Sequence, residues 1–170
     1  TAELVRHTRT KIQSIIDQVE ISSKEYRLLG EEGLSSLIAT ALNESMVLVA
    51  RREVNSRGHV DLTITAPLYA AESKYRYLGE AKVWKTKQYC IDGFEQLMGY
   101  ITGRQKNAFT IIYFRIKECD VQFKSYLEEL LRQKGGSMIT LETRYGLTHH
   151  THPSTAAVEI DHFAAHVPNP

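Results

Sequence analysis

The sequence predicts an α/β domain in which a mixed β-sheet is flanked by helices. Apolar residues recur at helical spacing in four separate stretches, and runs of strand length rich in β-branched residues lie between them. One such run, residues 108–116, is apolar on both faces and so fits a central strand covered on each side. The 170 residues suit one domain over 1–170 with a single sizeable core.

Taken in order, residues 3–20 carry Val5, Ile12, Ile15, Ile16 and Val19 at helical spacing, a first amphipathic helix. Ser22 or Ser23 can cap a second helix, whose stripe is Leu34, Leu37, Ile38, Ala41 and Leu42 and which Asn43 closes. Residues 46–54 read as a strand, and Asn55, Ser56, Arg57 and Gly58 supply turn chemistry. A second strand, 60–65, is ended by Pro67. A third, 75–84, follows a loop of suitable length for an antiparallel hairpin. A helix over 90–103 has the stripe Phe94, Leu97, Met98 and Ile101. After the central strand, a helix over 121–133 presents Phe123, Tyr126, Leu127, Leu130 and Leu131 and ends at Gly135. Strands over 137–145 and 156–163, with a polar loop at 148–155, complete the order ααβββαβαββ.

Bulk properties exclude several classes. A content of 42% hydrophobic and 24% charged residues is that of a soluble globular protein, and no apolar run is long enough to span a bilayer. No secretory leader pattern is present and the two cysteines, Cys90 and Cys119, make no disulfide framework, so a cytoplasmic setting is expected and the cysteines read as packing residues. The net charge of +1 advertises no broad affinity for nucleic acid, so any such footprint must be local. The chain opens in a helical pattern without an initiator methionine, which reads as a processed end or a piece of a longer protein.

The residues that carry chemistry lie in the third strand and its neighbour. Side chains alternate along a strand, so Glu80 and Lys82 emerge on one side with Leu78 and Trp84, while Tyr77, Gly79, Ala81 and Val83 face the other. A carboxylate and an ammonium among apolar residues are costly to bury unless paired or metal-bound. Asp61 is a third such charge, set among Val60, Leu62 and Ile64 in the adjacent strand. Two carboxylates can hold a hard divalent cation, Mg²⁺ or Mn²⁺, that keeps positions for water and phosphate. An ammonium beside it can orient or deprotonate the water, or stabilise charge growing on phosphorus oxygens. That set suits phosphodiester hydrolysis; Glu80 and Lys82 alone would fit equally a cross-strand ion pair on a solvated face.

The stretches Gly58-His59-Val60-Asp61-Leu62, Tyr77-Leu78-Gly79-Glu80-Ala81-Lys82-Val83-Trp84 and Phe94-Glu95-Gln96-Leu97-Met98-Gly99-Tyr100 resemble, in order and spacing, the PD-(D/E)xK nuclease superfamily. More narrowly they resemble restriction-endonuclease-like domains of bacterial proteins. Val60 stands where the family name has proline. The resemblance, over about residues 31–131, implies a restriction-endonuclease-like αβββαβ core and metal-dependent cleavage of DNA, with RNA as an alternative substrate. It assigns Asp61 and Glu80 as metal ligands and Lys82 as the catalytic ammonium. It adds Glu32 as a further acid facing the metal, and Gln96 as support for the lysine or water. The acids at 31 and 32 also suit the positive end of a helix dipole, and Gln96 would also suit a solvated helix face. A role as the cutting module of a larger defence protein follows from the same resemblance. Because duplex cleavage usually needs two active sites, a homo-oligomer or a place in a larger multidomain protein is expected. A nuclease-like module that binds or assembles without cutting is the alternative.

Lys85, Lys87, Arg104 and Tyr100 are candidates for contact with the nucleic-acid backbone, because basic side chains beside aromatic ones suit phosphates and bases. Gly99 and Gly103, poor helix residues, suggest close packing on the sheet or room for a substrate backbone. His149, His150 and His152, with His162 and His166 further on, raise the question of zinc, but their spacing matches no usual closed site and no Cys-x-x-Cys is present.

Overall fold

A computed structural model describes residues 2–44, 48–55, 58–66, 76–103 and 105–169, leaving aside the side chains of 53–55 and 58–60. The chain runs α1 (Ala2–Ile21), α2 (Ser23–Tyr26), α3 (Glu31–Asn43), β1 (Val49–Asn55), β2 (Gly58–Thr65), β3 (Arg76–Val83), α4 (Lys87–Tyr100), β4 (Asn107–Phe114), α5 (Cys119–Lys134), β5 (Ser137–Leu141), β6 (Tyr145–His150) and β7 (Val158–His166). The strands form one mixed sheet in the order β1-β2-β3-β4-β7-β6-β5. Its centre, β3-β4-β7, is parallel, and the flanking pairs are antiparallel.

Both sheet faces are covered. Leu4, Val5, Ile12, Ile16 and Val19 of α1 and Leu34, Ile38 and Leu42 of α3 pack on Tyr77, Ala81, Phe109, Ile111, Tyr113 and Phe163. Ile91, Phe94 and Leu97 of α4 and Phe123, Tyr126, Leu127 and Leu130 of α5 pack on Leu78, Ala108, Ile112, Phe114, Ile160 and Ala164. This period-two division follows from β-strand geometry, and it makes β4 apolar on both sides, as its sequence requires. Gly79 permits the closest contact: a Cβ there would stand 2.1 Å from the Phe109 ring.

On the α1 face, the fully buried Asp161 anchors helix to sheet. It accepts hydrogen bonds from Arg9 Nε at 2.6 Å, from Arg9 Nη2 at 3.3 Å, from the Tyr145 hydroxyl at 2.5 Å and from the Tyr77 hydroxyl. A buried carboxylate persists because so many donors replace its lost water.

Several boundaries differ from the sequence expectation, among them the last strand, expected over 156–163 and found at Val158–His166. The second helix is two helices: Ser22 makes no side-chain cap, α2 stops at Tyr26, and α3 starts afresh from Gly30. The Arg115 guanidinium holds the intervening turn, donating to the carbonyls of Arg27, Leu29 and Val167, a long-range tie that local patterning cannot register. The expected strand 137–145 is the hairpin β5-β6, whose second strand runs to His150 and takes up the start of the expected loop. Helix α4 begins earlier, because the Thr86 hydroxyl accepts the Tyr89 amide at 3.1 Å, and it ends at Tyr100. A Cβ at Gly99 would meet nothing within 4 Å, whereas one at Gly103, beyond the helix, would stand 2.7 Å from the Ser154 carbonyl oxygen. Of the expected turn residues 55–58, Asn55 and Gly58 pair as the ends of β1 and β2, whereas Ser56 and Arg57, like the stop at Pro67, lie outside the described residues.

Candidate metal-binding and hydrolytic site

The site sits where two antiparallel strands part. β2 pairs with β3 from Thr65↔Arg76 to Leu62↔Gly79, and among the described residues no further. Beyond Gly79 the β2-facing edge of β3 presents backbone amides, which must find other acceptors. The Ala81 amide donates to Asp61 Oδ2 at 2.9 Å and the Val83 amide to Glu31 Oε2 at 2.7 Å. Two carboxylates thus replace the missing strand, each through one oxygen.

A bulge in β2 prepares this fork. Arg51 pairs with Thr63 and Glu53 with Val60, so Asp61 and Leu62 together face Arg52 alone. An extra residue bends a strand and re-aims its side chains. Here it coincides with Asp61, whose carboxylate reaches across to β3.

Glu31, Glu32, Ser35, Arg52, Asp61, Glu80, Lys82 and Gln96 line one pocket of about 230 Å³ at the fork. Lys82 Nζ lies 2.6 Å from Glu80 Oε1 and 3.9 Å from Glu31 Oε1. Helix α4 approaches closely because residue 93 is glycine: a Cβ there would stand 2.9 Å from Lys82 Cε. One turn on, Gln96 reaches the pocket from an exposed position on the same helix. Glu31, set at the start of α3 by the turn that Arg115 holds, is tied to β3, whereas Glu32 lines the pocket from an exposed position.

Burial drives the electrostatics. The Glu80 side chain is 2% exposed, and loss of water, reinforced by the Asp61 charge, pushes its carboxyl up to about 7 against the opposing pull of Lys82. Burial also works against the Lys82 ammonium, but its hydrogen bond and charge pairing with Glu80, helped by Glu31 and Asp61, raise its pKa overall. Lys82 is therefore a cation at neutral pH. The second Glu80 oxygen, Oε2, is buried with no hydrogen-bond partner among the described residues, and so is Ser35 Oγ.

The chain matches no protein-family model, no curated protein and no solved structure.

Among the described residues, no three histidine, cysteine or acidic side chains converge as a ready-made metal cage. Asp61 and Glu31 each spend one oxygen on a backbone amide, and Glu80 spends one on Lys82. Each still has a second oxygen. The donor set is all-carboxylate and suits a hard cation, and the orphaned Glu80 Oε2 is the atom such a cation would satisfy.

The other expected residues do not join the pocket. Lys85 is exposed, with Nζ 4.5 Å from the Tyr89 ring centroid, and Lys87 donates to Ser125 Oγ at 3.0 Å on α5. Tyr100 is half-buried against the α4/α5 core, and Arg104 lies outside the described residues. The histidines are divided. His150 and His162 are buried in a chain running from Thr110 Oγ1 to His162 Nδ1 (2.8 Å), from His162 Nε2 to Thr148 Oγ1 (2.8 Å) and on to His150 Nε2 (2.9 Å). Burial lowers both pKa values, to about 4 for His150 and about 3 for His162, so the rings are neutral core members. Sequence reasoning passed over Arg52, Ser35 and Gly93. The signal available for the first was a pair of arginines inside an otherwise strand-like run.

Proposed function

We propose that this domain hydrolyses phosphodiester bonds in DNA with Mg²⁺ or Mn²⁺ held by Asp61 and Glu80. The observation that carries the reading is the convergence of Asp61, Glu80 and Lys82, from two strands, in one pocket around a buried carboxylate oxygen that lacks a partner. Glu31, better placed than Glu32 by its tie to β3, is the third acid of the proposal. The finer fold belongs to the same reading. The run α3-β1-β2-β3-α4-β4, with antiparallel β1-β2-β3 and parallel β3-β4, supports a restriction-endonuclease-like core.

When bound, a divalent ion supplies a more acidic water and neutralises charge on the phosphoryl oxygens. The chain's own residues do the rest. Lys82, a cation at neutral pH, serves as fixed positive charge for a non-bridging phosphate oxygen rather than as a base. The Ala81 and Val83 amides hold Asp61 and Glu31 in place, each with an oxygen to spare. Gln96 offers an amide that can orient a water from the α4 side. Two such sites are needed to cut a duplex, so the working form is a dimer or an assembly within a larger protein. Use in bacterial defence extends the proposal on the strength of the sequence resemblance.

The test is cleavage of labelled duplex DNA, single-stranded DNA and RNA in Mg²⁺, Mn²⁺ and EDTA. Metal-dependent cutting is expected, reduced by roughly 10²–10³ in Lys82→Ala and at least as much in Glu80→Gln. DNA retained without cutting in either metal would favour the non-cleaving module instead.

A further inference from the structure

Arg52 is a cationic pocket residue for which neither the fold nor the proposed chemistry gives an account. Four carboxylates, those of Glu31, Glu32, Asp61 and Glu80, line the pocket with it. The other cation there, Lys82, is 16% exposed and committed to Glu80. Arg52 is exposed, and among the described residues its guanidinium makes a single hydrogen bond, from Nη1 to Ser36 Oγ at 3.2 Å, and no ion pair. An arginine whose task was to brace the fold would take a neighbouring carboxylate, as Arg9 takes Asp161. Arg52 leaves most of its five donors to solvent at the mouth of the pocket.

We infer that Arg52 grips a backbone phosphate of the DNA strand entering this pocket, an inference that rests on the phosphodiesterase reading above. Three features converge on it. A guanidinium is a planar fork matched to two phosphate oxygens, and it keeps its charge at every working pH. A polyanion approaching four carboxylates meets repulsion that a cation at the rim offsets. The β2 bulge sets Asp61 and Leu62 jointly opposite Arg52, so the irregularity that aims a metal-binding acid inward also fixes the position of the arginine beside it. The bond to Ser36 on α3 holds the guanidinium near the pocket while leaving its outer edge free.

The test uses the full chain and Arg52→Ala, Arg52→Gln and Arg52→Lys. Binding of a fluorescein-labelled DNA duplex is followed by anisotropy in Ca²⁺ between 50 and 200 mM salt, and cleavage is followed in Mg²⁺ and Mn²⁺. Loss of one charge-assisted contact should raise Kd for the alanine and glutamine variants by about tenfold to a hundredfold, and the slope of log Kd against log salt should fall by about 0.9. In cleavage the effect should fall on KM, with kcat within a few-fold. Arg52→Lys should keep the salt slope and recover only part of the affinity, since a point charge lacks the fork. An exposed side chain with one hydrogen bond should be dispensable for folding, which thermal melts check. If Arg52→Ala fails to fold, Arg52→Lys and Arg52→Gln carry the comparison. Wild-type affinity and salt slope in Arg52→Ala would overturn the inference, even if cleavage proceeds and the phosphodiesterase reading stands. Binding that depends on Arg52 without any cleavage would sink that reading and leave the phosphate grip standing. Neither binding nor cleavage by the wild type would end both.

Discussion

Replacing Glu80 with glutamine should stabilise the folded protein at pH 8, by an amount its environment fixes. Glutamine is a near copy of the protonated carboxyl. The Glu80 carboxyl titrates at about 7 in the fold against an ordinary 4.5, because burial and the Asp61 charge outweigh Lys82. The folded pKa is raised, so the contribution of the protonated form is fully present below pH 4.5 and is lost as pH rises through 7. At about 1.4 kcal/mol per pH unit, ionising Glu80 inside the fold costs roughly 3 kcal/mol. Urea unfolding in EDTA should therefore find wild type and Glu80→Gln equal near pH 4.5, diverging to a variant more stable by about 3 kcal/mol at pH 8. Histidine titration affects both proteins alike and cancels in the difference. Adding Mn²⁺ at a hundred times its Kd should then raise wild-type stability by about 2.7 kcal/mol and the variant's far less. If Glu80→Gln is instead destabilised at pH 8 by more than about 1 kcal/mol, with an unchanged pH profile, Glu80 and Lys82 form a satisfied ion pair and the reasoning fails.

The remaining predictions address the elements around the pocket. The folded pKa values of His150 and His162 are depressed, so their contribution is present above pH 6.5 and lost as pH falls toward 4. In urea titrations of Glu80→Gln the loss between about pH 5 and 6 should approach 2.7 kcal/mol per pH unit, against about 1.4 in wild type, where Glu80 takes up a compensating proton. Thr148→Val leaves two buried ring nitrogens without their shared hydroxyl and should cost about 2–4 kcal/mol in the same assay at pH 7.5. Gly93→Ala gains helix propensity but pushes on the Lys82 stem, so stability should move by less than about 1 kcal/mol while cleavage falls tenfold or more. Gly79→Ala drives a methyl into the Phe109 ring and should cost about 3 kcal/mol with no specific effect on metal affinity, as calorimetry with Mn²⁺ would report.

How much of this was legible in the sequence depends on how far each signal travels along the chain. The α/β class, the antiparallel β2-β3 pair and the shared face of Glu80 and Lys82 follow from periodicity, which is local, and all are found in the structure. That Asp61 opens onto the same pocket was also legible, but for a reason that is only half right. Simple hairpin alternation brings Asp61 beside Glu80, whereas in the fold β2 has already left β3 there, and a bulge plus a backbone amide set the carboxylate. The split between α2 and α3, the tie of Glu31 to β3, and the close approach at Gly93 all depend on residues distant in sequence: Arg115 on the turn, the Val83 amide on Glu31, the Lys82 stem on α4. Propensity carries no trace of such ties.

The fork also explains why these charges can survive in a protein interior. A regular β2-β3 ladder carried past Gly79 would satisfy the Ala81 and Val83 amides with carbonyls and leave Asp61 and Glu31 to be excluded or neutralised. Parting the strands exchanges two neutral acceptors for two carboxylates, and each bond to a charged acceptor is worth roughly 1.5–3 kcal/mol. That gain offsets part of the cost of crowding acids around Lys82, and the residue of that cost is concentrated on Glu80, whose second oxygen is buried without a partner among the described residues. The backbone thus steadies two acids and leaves the third strained, which is the arrangement a divalent ion would relieve most.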